Sequence, residues 1–286
     1  MAAPGNSEAI EAWNTVLFDK FVRFRDLVEL NLGKHGEVAM TTYPPPLGGR
    51  VLDVGCGFGG TTLDLARLVG DGGEAVGVDA AARFIADATG TATQRGVKNA
   101  RFMTADVESD DLGGPYDHAF ARFGTMFFAS PVRALRNVRR ALKPGARLVK
   151  TVWRRRDDNP CFHLAEQIVK AIVPQENKDN APTCGPGPFS MADADTLTTI
   201  LLAAGFDDVT LTRLELPLRI GRDVDHAIEF ALAVGPAGEV MRLAGAEAER
   251  LRPQVVTALR EALTPLASDA GVHAGSSTWV VSARAA

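Results

Sequence analysis

Cysteine is scarce in this chain: Cys56, Cys161 and Cys184 make three among 286 residues, an odd and widely spaced set. Such a set builds neither a disulfide framework nor a zinc site, so reduced thiols and no metal are expected. No apolar run reaches membrane-spanning length, and Met1 to Ser7 is small and polar, without the apolar core of a signal segment. A large excess of one sign of charge is missing too. A net charge of −4 gives no global reason to expect a nucleic acid or a membrane as partner. These absences point to a cytoplasmic protein. What remains is ordinary for a soluble globular chain, 46% hydrophobic and 23% charged, without an internal repeat or a second independent domain.

One stretch organises the rest: Arg50-Val51-Leu52-Asp53-Val54-Gly55-Cys56-Gly57-Phe58-Gly59-Gly60-Thr61-Thr62. An apolar run ends in glycines, and an amphipathic segment follows at once with Leu63, Ala66, Leu68 and Val69. The pattern is that of a buried parallel strand, a tight turn and a helix N-terminus. Glycines let a backbone approach a ligand, and the helix start offers free N–H groups to something small and partly anionic.

The glycines fit two ligands. Gly55, Gly57 and Gly60 satisfy G-x-G-x-x-G, the dinucleotide pattern, with Asp79 near the spacing of about 20 residues expected of a ribose-binding acid. Gly55, Gly57 and Gly59 equally satisfy G-x-G-x-G. Charge separates the two. Asp53 stands at the mouth of the strand, where it would repel a pyrophosphate and attract an ammonium or sulfonium. Asp79 and Asp106 close two further strand-like runs, and three carboxylates at strand ends suit a cationic nucleoside better than a dinucleotide.

Along the chain, apolar residues from Ala9 to Leu32 recur at helical spacing, with Gly33 and Gly36 read as stops and Tyr43 to Gly49 as a linker. Trp13, Phe18, Phe21 and Phe24 either pack on the domain or form a lid. Strands are expected at 50–55, 74–79, 100–105, 117–123 and 146–152, with helices near 61–69, 81–95 and 131–142. Leu142-Lys143-Pro144-Gly145 reads as a helix stop and turn. Helices follow near 162–173 and 193–204, then a strand at 208–218, helices at 223–234 and 237–268, and a last strand at 277–283. Such alternation predicts an α/β fold with a doubly wound, mostly parallel sheet whose ligand sits at the carboxyl strand ends.

Four ordered segments resemble the class I S-adenosylmethionine-dependent methyltransferases. They are Val51-Leu52-Asp53-Val54-Gly55-Cys56-Gly57-Phe58-Gly59, Val76-Gly77-Val78-Asp79, Thr104-Ala105-Asp106 and Leu142-Lys143-Pro144-Gly145-Ala146-Arg147-Leu148. The run Asp117 to Phe128 is similar to the fourth-strand region of the branch that includes the ubiquinone/menaquinone-biosynthesis methyltransferases. The resemblance covers about 50–153. It implies a seven-stranded Rossmann-like methyltransferase fold with an N-terminal helical lid and helical insertions before the last strand. The expected division is a lid and linker at 1–46 and a methyltransferase domain at 47–286, with acceptor-side segments at 154–192 and 222–270.

The resemblance also implies roles toward S-adenosylmethionine, whose product is S-adenosylhomocysteine. Gly55, Cys56, Gly57 and Gly59 would form the turn against its methionine part, Thr61 and Thr62 would hold its carboxylate, and Asp53 would face its ammonium. Asp79 would accept from both ribose hydroxyls, and Asp106 from the adenine amino group unless it is simply a turn acid. Ala105 and Val107 would offer backbone contacts, Ala80 and Phe84 would pack on adenine, and Arg122 and Phe123 would line the end of the fourth strand. Methyl transfer needs an in-line approach, and a base only where the acceptor must lose a proton. His163, in the variable segment after the fifth strand, is the base candidate.

Trp13, Phe18, Met126, Phe127 and Trp153 would line the acceptor side and suggest a small apolar or aromatic molecule. Between Arg133 and Arg156 lie ten basic residues and no acid, either a solvated face or a surface for an anionic partner such as RNA. The rival readings are therefore a methyltransferase acting on RNA or protein, a nucleotide-dependent oxidoreductase, and a non-catalytic partner protein that keeps the cofactor pocket. A homodimer through the apolar C-terminal helices is a further possibility.

Overall fold

The computed structural model describes residues 6–174 and 186–286; Cys184 and the first five residues lie outside the described residues. Helix α1 (Asn6–Ala12) leads through a π-helical turn, Trp13–Leu17, into α2 (Phe18–Arg23) and α3 (Arg25–Thr42). The expected stops at Gly33 and Gly36 do not occur, because α3 runs on to Thr42. A Cβ at Gly36 would stand 3.1 Å from Arg122 Cδ, and one at Gly33 would stand 3.5 Å from Arg122 Nη1. These glycines make room for a neighbour rather than end the helix.

From there strands and helices alternate: β1 (Arg50–Val54), α4 (Gly60–Val69), β2 (Glu74–Asp79), α5 (Ala82–Gln94), β3 (Ala100–Thr104) and β4 (Tyr116–Arg122). Next come α6 (Pro131–Ala141), β5 (Leu142–Trp153), α7 (Pro160–Ile172), α8 (Ala194–Ala203) and β6 (Phe206–Gly221). The chain closes with α9 (Val224–Ala233), α10 (Pro236–Ala244), α11 (Ala246–Leu263), β7 (Ala267–Ser268) and β8 (Gly271–Ala285). Helix α6 stops at Ala141 as expected, but Leu142 onward is extended rather than turned. Leu142 already pairs with Tyr116, and an irregularity before His118 absorbs the extra residues. The expected helix 237–268 divides at Gly245, where φ is +56°.

The strand order is β3-β2-β1-β4-β5-β8-β6, and β7 adds a short eighth strand beside β8. Strands β1 to β5 pair in parallel, and β8 is antiparallel to both β5 and β6. Successive strand residues serve opposite faces. Leu52, Val54, Ala119, Leu148 and Val152 join one apolar cluster, while Val51, Ala75, Phe120 and Val149 join another with Ala39 and Met40 of α3 and Leu65 of α4. Both faces are therefore covered, which explains why these strands read as near-continuous apolar runs. A third, aromatic cluster forms where α2 meets the glycine turn, with Phe18, Phe58, Ala81 and Phe84 buried together and Trp13 and Phe21 packed on them.

Candidate active site

The turn after β1 is held from beneath. Gly55 and Cys56 donate their backbone N–H groups to Val78 O at 2.8 and 3.0 Å, fixing the turn to β2. Gly59 caps α4 in the left-handed region at φ +79°. A Cβ there would lie 2.8 Å from Ala88 Cβ and from the Phe102 ring, so packing of α5 and β3 demands this glycine. The Gly57 and Ala81 N–H groups donate to the two oxygens of Asp79 at 3.0 and 2.9 Å. Burial raises the Asp79 pKa, and those amides oppose the rise. An ionised carboxylate offers about four acceptor positions, so two remain beyond these amides.

Asp53 lies deeper, 1% exposed. Thr62 Oγ1 donates to its Oδ2 at 2.7 Å, and Oδ1 is buried without a partner among the described residues. Burial pushes its pKa up to about 6 against the Thr62 hydrogen bond and the nearby Arg122 charge. Burial in turn lowers the Arg122 pKa, with Asp53 and Glu29 opposing. Asp106 serves its own turn, accepting from the Glu108 N–H at 2.9 Å. The three acids thus gather at neighbouring strand ends.

Above them is a cavity of about 840 Å³. The turn (Gly55 to Phe58, with Thr61), Asp79, Ala80, Phe84, Asp106, Val107, Arg122 and Phe123 form one part of its wall. Trp13, Phe21, Met126, Phe127, Trp153, Phe162 and Phe189 form another, and Leu218, Phe230 and Val240 close the far side. Trp13 packs edge-on against Phe127 at 5.0 Å and Phe21 at 5.3 Å, which brings the first helices onto the loop after β4. Phe123 stacks on Trp153 at 4.3 Å, Trp153 meets Phe162 at 5.1 Å, and Phe162 meets Phe189 at 6.3 Å.

A methyltransferase domain family model matches residues 47–205, more than half of the chain and the whole region that carries the turn and the strand-end acids. The chain belongs to the class I S-adenosylmethionine-dependent methyltransferases. This methyltransferase is 33% identical over 108 residues to aklanonic acid methyltransferase DauC of Streptomyces sp. (strain C5), covering 37% of the chain and 49% of that relative. It is 29% identical over 171 residues to ubiquinone/menaquinone biosynthesis C-methyltransferase UbiE of Azotobacter vinelandii, covering 57% of the chain and 68% of the relative. The match therefore spans about half the length of DauC. Among solved structures, the YcgJ protein of Bacillus subtilis shares the fold at a TM-score of 0.56 and 17% identity, covering 88% of this chain and 98% of the other.

Several residues expected in the methyltransferase's site do not line the cavity. Asp53, Gly59, Thr62 and Ala105 are beneath the cavity wall rather than on it. Thr62 is fully buried with its hydroxyl turned to Asp53, which takes it away from a ligand carboxylate. Phe18 packs beneath the wall on Phe58 and Phe84 at 5.9 and 4.9 Å. His163 is on α7 but is not part of the cavity wall, and its Nδ1 is buried without a partner among the described residues. The structure does not bring it together with the turn.

Sequence reasoning missed Arg156, Glu166 and Lys170, all of which line the cavity. One signal was available. Glu166 interrupts the otherwise apolar positions Cys161, Ala165 and Val169 on the buried face of α7, and a carboxylate is rarely buried without a task. The basic run from Arg133 to Arg156 separates in space. Arg136 donates to Ala203 O and Arg139 to Ala286 O, Lys143 pairs with Asp117, Lys150 is fully buried, and Arg156 pairs with Glu166.

Proposed function

We propose that this methyltransferase moves the methyl group of S-adenosylmethionine to a small apolar or aromatic organic acceptor. One observation carries the reading: a single cavity of about 840 Å³ joins the glycine turn and Asp79 to a chamber walled by aromatic rings. That volume is toward the upper end of the range of about 300–1,000 Å³ usual for small-molecule sites. The names of DauC and UbiE, methyltransferases of aklanonic acid and of ubiquinone/menaquinone biosynthesis, support a small organic acceptor.

The residues present fit the cofactor, because an unpartnered buried Asp53 oxygen and a half-satisfied Asp79 suit a cationic nucleoside. Bound S-adenosylmethionine supplies an electrophilic methyl group on a sulfonium. Asp79 would hold the ribose hydroxyls, and the backbone of Gly55 to Gly57 would border the methionine part. Phe84 and Ala80 would flank the adenine. Asp53 would act through its field rather than by contact. Arg122, which lines the cavity with Glu29, would neutralise a carboxylate there. Trp13, Phe127 and Phe21 would exclude water and hold the acceptor in line, where proximity supplies much of the rate.

An RNA or protein acceptor has less support, since the basic residues that suggested it are dispersed and largely paired within the chain. The test is incubation with methyl-tritiated S-adenosylmethionine and three acceptor sets: hydroxylated aromatic compounds, bulk tRNA and a protein extract. Label transfer to the first set is expected. Label found only in tRNA or only in protein would overturn the reading.

A further inference from the structure

With Asp53 beneath the cavity wall, Asp79 given to the ribose and Arg122 to the carboxylate, the ammonium of the methionine part lacks a carboxylate in contact with it. Helix α3 offers one. Its Arg25, Glu29, Gly33 and Gly36 follow at intervals of four, four and three residues, which sets them on one helix face. That face meets both the glycine turn and the end of β4. A Cβ at Gly33 would stand 3.5 Å from Arg122 Nη1, and the Arg25 guanidinium lies 4.3 Å over the Phe58 ring. Between them, Glu29 Oε1 stands 4.0 Å from the point a Cβ would take on Gly60, the first residue of α4.

We propose that Glu29 accepts a hydrogen bond from the ammonium of the methionine part, beside the Arg122 that meets its carboxylate. The inference rests on the cofactor reading above. Glu29 lines the cavity with Gly55, Gly57, Thr61 and Arg122, and its side chain is 34% exposed, so a ligand reaches it. Arg25 Nε donates to Oε1 at 3.1 Å, and Oε2 has no partner among the described residues. Arg25 does not cancel the charge of Glu29, because its Nη1 is also paired with Asp87 of α5 at 2.9 Å. Two carboxylates around one guanidinium leave one negative charge over. Arg122 supplies the opposite sign next to it, and the attraction between Arg122 and Glu29 holds the two together. A cation and an anion side by side complement an amino-acid zwitterion, and a nucleoside without that end would gain nothing from either. Glu29 is in this account a cofactor-binding residue that selects for the amino acid, and no proton transfer is asked of it.

The experiment titrates the full chain by calorimetry with S-adenosylhomocysteine, with its deamino analogue and with its decarboxy analogue. The unaltered chain should bind S-adenosylhomocysteine about tenfold or more tightly than the deamino analogue, as expected of a hydrogen bond between charged groups. In Glu29→Gln that preference should fall below about threefold. S-adenosylhomocysteine and the decarboxy analogue should both lose affinity there, while the deamino analogue binds as before or better and the thermal transition stays near that of the unaltered chain. Equal affinities of the unaltered chain for S-adenosylhomocysteine and the deamino analogue overturn the proposal. So does a preference that survives in folded Glu29→Gln. An equal loss for all three nucleosides would make Glu29 a purely structural tie between α3 and the turn, and overturns it as well. Should Glu29→Gln not fold, Glu29→Ala is read by the same comparison. Failure of every one of these nucleosides to bind the unaltered chain would remove the cofactor reading itself, and the proposal with it.

Discussion

The Gly57 N–H donates to Asp79 Oδ2 at 3.0 Å, so the glycine turn of one strand is tied to the acid that ends the next. The same carboxylate takes the Ala81 N–H on its other oxygen and thereby sets the start of α5. Replacing Asp79 by Ala removes both ties together with the proposed ribose contact. We expect S-adenosylhomocysteine affinity to fall by about one to two orders of magnitude, measured by calorimetry. Unchanged affinity in a folded variant would remove Asp79 from the site.

Asp53 works against the fold. Its carboxyl is raised from 3.8 to about 6 by burial, so the folded state holds its proton more tightly than the unfolded one. The stability it contributes is present below pH 3.8 and is lost as pH rises through 6. Asp53→Asn keeps the Thr62 hydrogen bond and should stabilise the ligand-free protein at pH 8 by up to about 3 kcal/mol. The same change should weaken S-adenosylmethionine binding by removing negative potential from beneath the turn. A variant less stable than the parent at pH 8 would contradict this.

Lys150 on β5 is fully buried, with Thr125 Oγ1 3.4 Å and Met191 Sδ 3.1 Å from its Nζ. Burial lowers its pKa from 10.5 to about 7. Its contribution to stability is complete above pH 10.5 and is lost as pH falls through 7. Lys150→Met should therefore gain a few kcal/mol at neutral pH, with the gain shrinking toward pH 10. Denaturant unfolding of the two proteins across that window checks the sign.

Acid should destabilise the protein through its histidines. His35, edge-on to both rings of the stacked Phe123–Trp153 pair, and His118 on β4 are both lowered from 6.5 to about 4 by burial. The unfolded chain then takes up protons the folded one refuses, so their contribution is complete above pH 6.5 and drains as pH falls through 4. His118→Gln should lessen the loss of unfolding free energy between pH 6.5 and 4.5 by about 1 kcal/mol or more. An unchanged slope would mean that His118 is not held neutral.

What the sequence disclosed follows from how local each cause is. The alternation of apolar runs with helical segments is local, so the parallel sheet, its turn and its strand-end acids were legible from Arg50 to Trp153. The Gly33 and Gly36 stops failed because their reason is Arg122, on a strand distant in sequence. Gly59 and Thr62 look like ligand-facing residues in a motif, but Phe102, Ala88 and Asp53 explain them once the fold is closed. Glu166 was missed for the opposite reason. Its place among Cys161, Ala165 and Val169 marks it as buried, but only the closed fold shows that it lines the cavity together with Arg156 and Lys170.

The central claim is a turn and an acid built for a cationic nucleoside. Calorimetric titration of the purified protein with S-adenosylhomocysteine, with NAD⁺ and NADPH as controls, tests it most directly. We predict micromolar binding of the homocysteine nucleoside and none of either dinucleotide. Preference for a dinucleotide would contradict the charge argument and the site built upon it.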